Sequence, residues 1–158
     1  MPYKPYTKKY EYCANELITK CSVSKPANKL NSASEYMEFL ALWDTGATHT
    51  FISPRVAMLL DLDTISKVAI LHAGGRSFVE TYEINLLLPN NVLLSSITVT
   101  ETEPHGADLL IGMDIISQCD FSISNKDDKT TFSFRIPSYK ETDFVAEYDE
   151  MKNDTLTS

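Results

Sequence analysis

The chain has 158 residues, enough for one compact domain with a sizeable core and too few for two domains with separate cores. With 43% hydrophobic and 23% charged residues it has the composition of a globular protein, which excludes a disordered or membrane-embedded chain. A net charge of -8 without any dense basic run excludes non-specific binding to nucleic acid or anionic lipid.

Residues Met1 to Tyr10 alternate Tyr, Lys and Pro and contain no apolar stretch of signal-peptide length. Residues 1–15 are read as an N-terminal arm, whose Tyr3, Tyr6, Tyr10 and Tyr12 could dock on a surface. Short runs rich in Val, Ile, Leu, Thr and Phe then alternate with turn chemistry, the pattern of a mainly β domain spanning residues 16–137. Strands are expected at Leu17 to Ser24, Tyr36 to Trp43, Lys67 to Leu71, Ser77 to Leu88, Val92 to Thr100, Leu109 to Ile111, Phe121 to Asn125 and Thr130 to Ile136. Pro89-Asn90-Asn91 and the run Asn125 to Lys129 mark turns, because Asn, Asp and Pro favour turn dihedrals over ladder pairing.

Helical signal is scarce. Ser53 can act as an N-cap with Pro54 at the first helical position, after which Val56, Ala57, Leu59 and Leu60 supply an apolar face. A second helical turn is expected from Asp114 to Gln118. From Tyr139 onward six acids face only Lys140 and Lys152, so residues 138–158 read as an acidic, flexible tail, with a short amphipathic helix as the alternative. Cys13, Cys21 and Cys119 form no even-numbered framework and no Cys-x-x-Cys pair, and no cofactor or metal motif is present. Nothing approaches the length of a membrane span, so a soluble cytoplasmic protein in a reducing compartment is expected.

The chemistry-bearing stretch is Phe39-Leu40-Ala41-Leu42-Trp43-Asp44-Thr45-Gly46-Ala47-Thr48, where an apolar strand runs into an acid followed by small residues. A carboxylate at the end of a rigid strand, with a glycine letting the backbone pass close by, can polarise a water. The same tripeptide can equally end a strand in an Asx-type turn that does no chemistry. Further along lies Ala107-Asp108-Leu109-Leu110-Ile111-Gly112-Met113-Asp114-Ile115-Ile116, an apolar strand, a glycine and a short amphipathic turn. Between the two, Leu71-His72-Ala73-Gly74-Gly75-Arg76-Ser77-Phe78 reads as a glycine-tipped hairpin.

In motif content, order and separation the chain resembles the retropepsin family, the single-domain aspartic proteases of retroviruses, retrotransposons and their cellular or bacterial relatives. The resemblance covers Leu17 to Pro137. It implies a mainly β, single-domain acid protease barrel with one or two short helices and a flap hairpin, acting as an aspartic endopeptidase on polypeptides. Asp44 would be the catalytic carboxylate, Gly46 the close-approach residue, and Thr45 a bond to its counterpart across a dimer, with Ala47 completing the motif. Ala73, Gly74 and Gly75 would form the flap tip over the substrate, while Ile111, Gly112 and Asp114 would be structural. Ala47 replaces the serine common in pepsins, which implies activity at mildly acidic pH. Because the chain holds one Asp-Thr-Gly and the chemistry needs two acids, the resemblance implies a homodimer with its two-fold axis between paired Asp44 side chains.

Other residues read as ordinary. His49, His72 and His105 lie on separate segments and suggest neither a metal cluster nor a triad. Cys21 and Cys119 read as small buried hydrophobes, and Arg76 as a solvated charge. Two further readings stay open: a catalytically silent dimerisation or peptide-binding module, and a precursor trimmed near Tyr10 to Lys25 or after Pro137. In retroviral enzymes the termini help to knit the dimer, whereas here an arm and a tail extend beyond the minimal domain.

Overall fold

The structure is a computed structural model that describes residues 2–27, 35–72, 74–103 and 106–156. Along the chain run β1 (Lys4–Lys9), β2 (Ile18–Ser24), β3 (Met37–Trp43), β4 (Phe51–Ile52), α1 (Pro54–Leu59), β5 (Ser66–His72), β6 (Gly75–Leu87), β7 (Leu93–Glu101), β8 (Leu109–Ile111), α2 (Met113–Ile116), β9 (Asp120–Ser124), β10 (Thr131–Ile136) and α3 (Phe144–Leu156). The protein is mainly β, as its alternating pattern predicts. The turn residues take the dihedrals expected of them, with Asn91 at φ 58° and Asp127 at φ 55° in the left-handed region. Ser53 caps α1 by accepting a hydrogen bond from the Val56 N–H, and Pro54 occupies the first turn. Val56 and Ala57 are buried beneath that helix, whereas Leu59, expected on its apolar face, points to solvent.

Seven strands form a sheet in the order β2-β3-β8-β4-β7-β6-β5, and an additional pairing of β2 with β6 curls it toward a barrel. The consequential crossing lies in its middle. β8 pairs parallel with β3 through Ala41↔Leu109, Leu42↔Leu110 and Trp43↔Ile111, and antiparallel with β4 through Phe51↔Leu110 and Ile52↔Leu109. The chain therefore leaves β3, turns through residues 44–50, and returns as β4 on the far side of a strand that comes much later in sequence. Fully buried Val23, Ala41, Ile52, Ile84, Leu86, Leu109 and Ile111 fill the interior beneath this crossing.

A second sheet, β1-β10-β9, packs through an aromatic cluster. Trp43, the last residue of β3, has its ring centroid 4.7 Å from Phe134, 5.6 Å from Phe132 and 6.0 Å from Phe121. Its indole N–H donates to the Thr19 hydroxyl at 2.9 Å, so burying the ring leaves no orphan donor.

Three elements depart from the sequence reading. The segment read as an arm contains β1, which pairs along its length with β10 and turns Tyr6 and the Lys8 stem inward. The Lys8 ammonium bonds the Ile18 carbonyl at 2.6 Å and lies over the Tyr10 ring. β4 is too short to leave a periodic signal. The segment read as a tail contains α3, whose N-terminal amides at Val145 and Ala146 are accepted by the Asp143 carboxylate at 2.9 and 3.1 Å. No helix among the described residues is long and apolar enough to cross a membrane.

Asp120, the first residue of β9, clasps the segment that follows β10. Its carboxylate accepts from the Ser138 hydroxyl, from the Tyr139 and Lys140 amides and from Arg135, whose guanidinium lies against the rings of Tyr3 and Tyr139. The Ser138 hydroxyl bond, followed by the Tyr139 amide, holds the Asp120 carboxyl well below the usual carboxylate range. A depressed folded-state value means that the clasp contributes fully above the unfolded aspartate value near pH 4 and fades as pH falls toward the folded one. Asp120→Asn should therefore lower the melting temperature by a constant amount between about pH 5 and 7 and by progressively less below about pH 4, measured by thermal denaturation across that range.

Candidate active site

Asp44 follows Trp43 directly, so the anchoring of the indole fixes where the acid begins. Its backbone N–H donates to the Ile111 carbonyl at 2.9 Å, extending the β3–β8 ladder by one rung. One carboxylate oxygen, Oδ1, accepts the Gly46 N–H at 2.8 Å. The other has no hydrogen-bond partner among the described residues, and the side chain is half-buried. A Cβ at position 46 would stand 3.1 Å from Asp44 Oδ1, so the glycine allows the turn to close tightly on the acid. Thr45 beside it is exposed, and its hydroxyl has no partner among the described residues.

The two sequence motifs meet in space. The Ala47 carbonyl accepts the Met113 N–H at 2.8 Å and the Thr48 carbonyl accepts the Asp114 N–H at 3.2 Å, so the turn after Asp44 rests on the first turn of α2. Gly112 makes this contact feasible. A Cβ there would lie 2.3 Å from the His49 carbonyl oxygen and 2.9 Å from that of Ala47, distances at which no side chain fits. Its φ of -96° is ordinary, so the requirement is for space and not for an unusual backbone.

Asp114 staples the same junction with both oxygens. Oδ2 accepts the Thr50 amide at 3.0 Å, while Oδ1 accepts the Thr50 hydroxyl at 2.8 Å and the Ile115 amide at 3.0 Å. The Thr50 hydroxyl in turn accepts the Gly112 amide at 3.2 Å. Thr50 is fully buried and joins the Asp44 turn to α2, a role that motif reasoning passed over. A small polar residue placed between the exposed turn and the core residue Ile52 was the available signal.

The expected flap residues belong to a separate hairpin. β5 and β6 form a hairpin with register His72↔Gly75, and Gly75 has φ 123°, which the missing Cβ permits. Ala73, expected at the tip with Gly74, lies outside the described residues, as does His105. The outer part of the hairpin is conspicuously apolar, with Leu71 78% and Phe78 68% exposed. At its base the Tyr82 hydroxyl lies 2.8 Å from both Glu80 and Glu101, and Lys67 pairs with Glu80. His49 is exposed, and it is its backbone carbonyl, not its side chain, that packs on Gly112. Burial pushes the Cys21 and Cys119 thiols up to about 11, away from the thiolate form a nucleophile needs.

A family model described as "gag-polyprotein putative aspartyl protease" matches residues 35–118, more than half of the chain and inclusive of both motifs. The chain belongs to this aspartic protease family. No curated protein matches it. A retropepsin-like aspartic protease from Rickettsia conorii, known from its crystal structure, superposes with a TM-score of 0.55 over 85% of this chain and 95% of that one. At 12% identity the likeness shows the fold, which is retropepsin-like. The family model spans the turn at Asp44 and the junction with Gly112, so the family signature covers the residues that the hydrogen bonds bring together.

Two substitutions test this junction. Gly112→Ala should destabilise the protein by about 3 kcal/mol, because the clash is with backbone and cannot be relieved by a rotamer change. Asp114→Asn should cost about 1–3 kcal/mol, since an amide places a donor against a donor at Thr50 or Ile115. Urea denaturation of both variants checks these values.

Proposed function

We propose that the chain is one half of an aspartic endopeptidase, with Asp44 as its catalytic carboxylate and a second copy supplying the other acid. The observation that carries this reading is the state of Asp44. It stands at the end of a doubly anchored strand, with one oxygen held by the Gly46 amide and the other without a partner among the described residues, which supports its acting on a ligand. Two such carboxylates brought within hydrogen-bond reach cannot easily both ionise, so the pair shares one proton. The ionised member takes a proton from a bound water. That water attacks the scissile carbonyl carbon while the protonated member gives its proton to the carbonyl oxygen, forming a gem-diol intermediate without a bond to the protein. Collapse of the intermediate breaks the C–N bond as a proton passes to the leaving amine, releasing two peptide products.

The substrate in this reading is an extended polypeptide that lies between the acids and the β5–β6 hairpin, pairing as an added strand. The exposed Leu71 and Phe78 on that hairpin support apolar side-chain subsites. The presence of one Asp-Thr-Gly per chain supports a homodimer, and the exposure of Thr45, whose hydroxyl has no partner among the described residues, supports a bond to its counterpart next to the acids.

The Asx-type turn made by Asp44 Oδ1 and the Gly46 amide would serve a silent dimerisation or peptide-binding module equally well. Turnover separates the two. A peptide library incubated between about pH 4 and 7 should be cleaved, with inhibition by pepstatin, and Asp44→Asn should lower kcat/KM at least about a thousandfold while leaving the melting temperature near that of the native chain. Undiminished cleavage by Asp44→Asn would rule out the catalytic assignment, and absence of cleavage by the native chain would favour the silent module.

A further inference from the structure

The β5–β6 hairpin leaves the large sheet at a definite place. β6 pairs with β7 from Leu87↔Leu93 out to Thr81↔Thr100, and beyond that rung residues 75–80 pair with β5 alone among the described residues. Three side chains meet at this exit: Glu80, the first residue past the last rung, Tyr82, and Glu101 at the end of β7, opposite Glu80 when the register is continued. Tyr82 is buried and both acids are half-buried. The end of β7 also reaches toward Asp44. The Thr100 N–H donates to the Thr50 carbonyl at 3.3 Å, and Glu101 pairs with Ile52 of β4.

The hydrogen bonds at this exit do not balance if every acid is ionised. The Tyr82 hydroxyl lies 2.8 Å from a carboxylate oxygen of Glu80 and 2.8 Å from one of Glu101. A phenol has one proton to donate, and an ionised carboxylate can only accept. With both acids charged, one contact sets lone pair against lone pair, and two like charges face each other across neighbouring strands. Burial, followed by the two carboxylate partners, holds the Tyr82 phenol above its ordinary value, so it keeps its own proton while acids titrate. One further proton resolves the conflict: a carboxyl on one acid donates to the phenol oxygen, and the phenol donates to the other acid. Glu80 suits the accepting end, because bonds from Tyr82, Thr64 and Lys67 hold its carboxyl below the usual carboxylate range. Among the described residues the charged groups at the exit are Glu80 of β6, Glu101 of β7 and Lys67 of β5, whereas β4 brings the uncharged Phe51 and Ile52.

We propose that Glu80, Tyr82 and Glu101 form a proton-operated brace at the root of the β5–β6 hairpin, closed when the trio takes up one proton from solvent and open when it releases it. The proton belongs to the pair of acids and not to either alone. Because the closed form binds the proton, the brace is complete at low pH and is lost as pH rises. When closed, it ties the hairpin at Glu80 to the end of β7, one residue from the amide that rests on Thr50. When open, residues 66–80 keep their own ladder, but one side-chain tie is gone and the two charged acids repel each other. The brace exists whether or not the chain cleaves peptides. Its effect on how firmly the hairpin covers Asp44 rests on the reading of that hairpin as the cover of the site.

Amide hydrogen exchange, corrected for the intrinsic effect of pH on exchange, reads the brace without reference to activity. In the native chain, protection of residues 66–80 should be at least about tenfold higher at about pH 5 than at about pH 8, while β3 and β8 show no such change. Glu101→Gln supplies an amide that donates to the phenol at any pH, so its hairpin should stay protected across the range. Glu80→Gln satisfies the same count from the other end and should also remove the pH response, which decides the matter if Glu101→Gln fails to fold. Hairpin protection in the native chain that does not change with pH would overturn the brace, as would a pH response that persists in both glutamine variants. A pH response in a chain that cleaves nothing would support the brace and count only against the protease reading. Peptide cleavage by a chain whose hairpin shows no pH response would overturn the brace and leave the protease reading standing.

Discussion

The contact on which this structure turns is the backbone of Gly112 pressed against the carbonyls of His49 and Ala47. Without that approach the turn after Asp44 cannot rest on α2, and β8 cannot sit between β3 and β4 with both ladders intact. The crossing is demanding because it joins segments distant in sequence, and closing such a loop costs chain entropy that local contacts cannot offset. What offsets it is concentrated in a small volume: fully buried Leu109 and Ile111, and a carboxylate on Asp114 that satisfies three donors at once. Thr50 and Gly112 are buried at this junction and both their amides are paired, which holds the turn beside Asp44 rigidly.

Trp43 carries this rigidity to the rest of the molecule. Its ring joins the large sheet to Phe121, Phe132 and Phe134 of the small one, and the residue that follows it is Asp44. The acid is thus fixed with respect to two sheets, not one. The same arrangement explains why β9 and the acid share a hollow: both lie at the rim of a single aromatic cluster. Asp44 and β9 are adjacent for one structural reason, the anchoring of Trp43 against Phe121.

Much of the fold was legible because its signals are local. Apolar alternation located eight strands, and Pro89-Asn90-Asn91 and Asn125 to Lys129 marked turns through dihedral preferences that belong to single residues. Ser53-Pro54 announced α1 because an N-cap and a fixed φ act within one turn. β1 was missed because its inward positions are Tyr6 and Lys8, and a lysine turned inward by a carbonyl on another strand cannot be told from a solvated one. α3 was read only as the alternative to a flexible tail because its acidic, weakly patterned composition carries no sign of the Asp143 cap until the amides are seen to converge on it.

The sequence by itself determined that this is a mainly β chain with a single Asp-Thr-Gly, a glycine-tipped hairpin and an apolar strand ending in Gly112, because residue type and spacing encode strands, turns and motif order directly. Only the tertiary structure decided that Gly112 and Asp114 hold up the turn at Asp44, that Thr50 joins them, and that β1 pairs with β10. Those facts depend on which segments meet. Meeting is a property of the packed whole, set by the shape of the core and by where hydrogen bonds between distant residues can be satisfied.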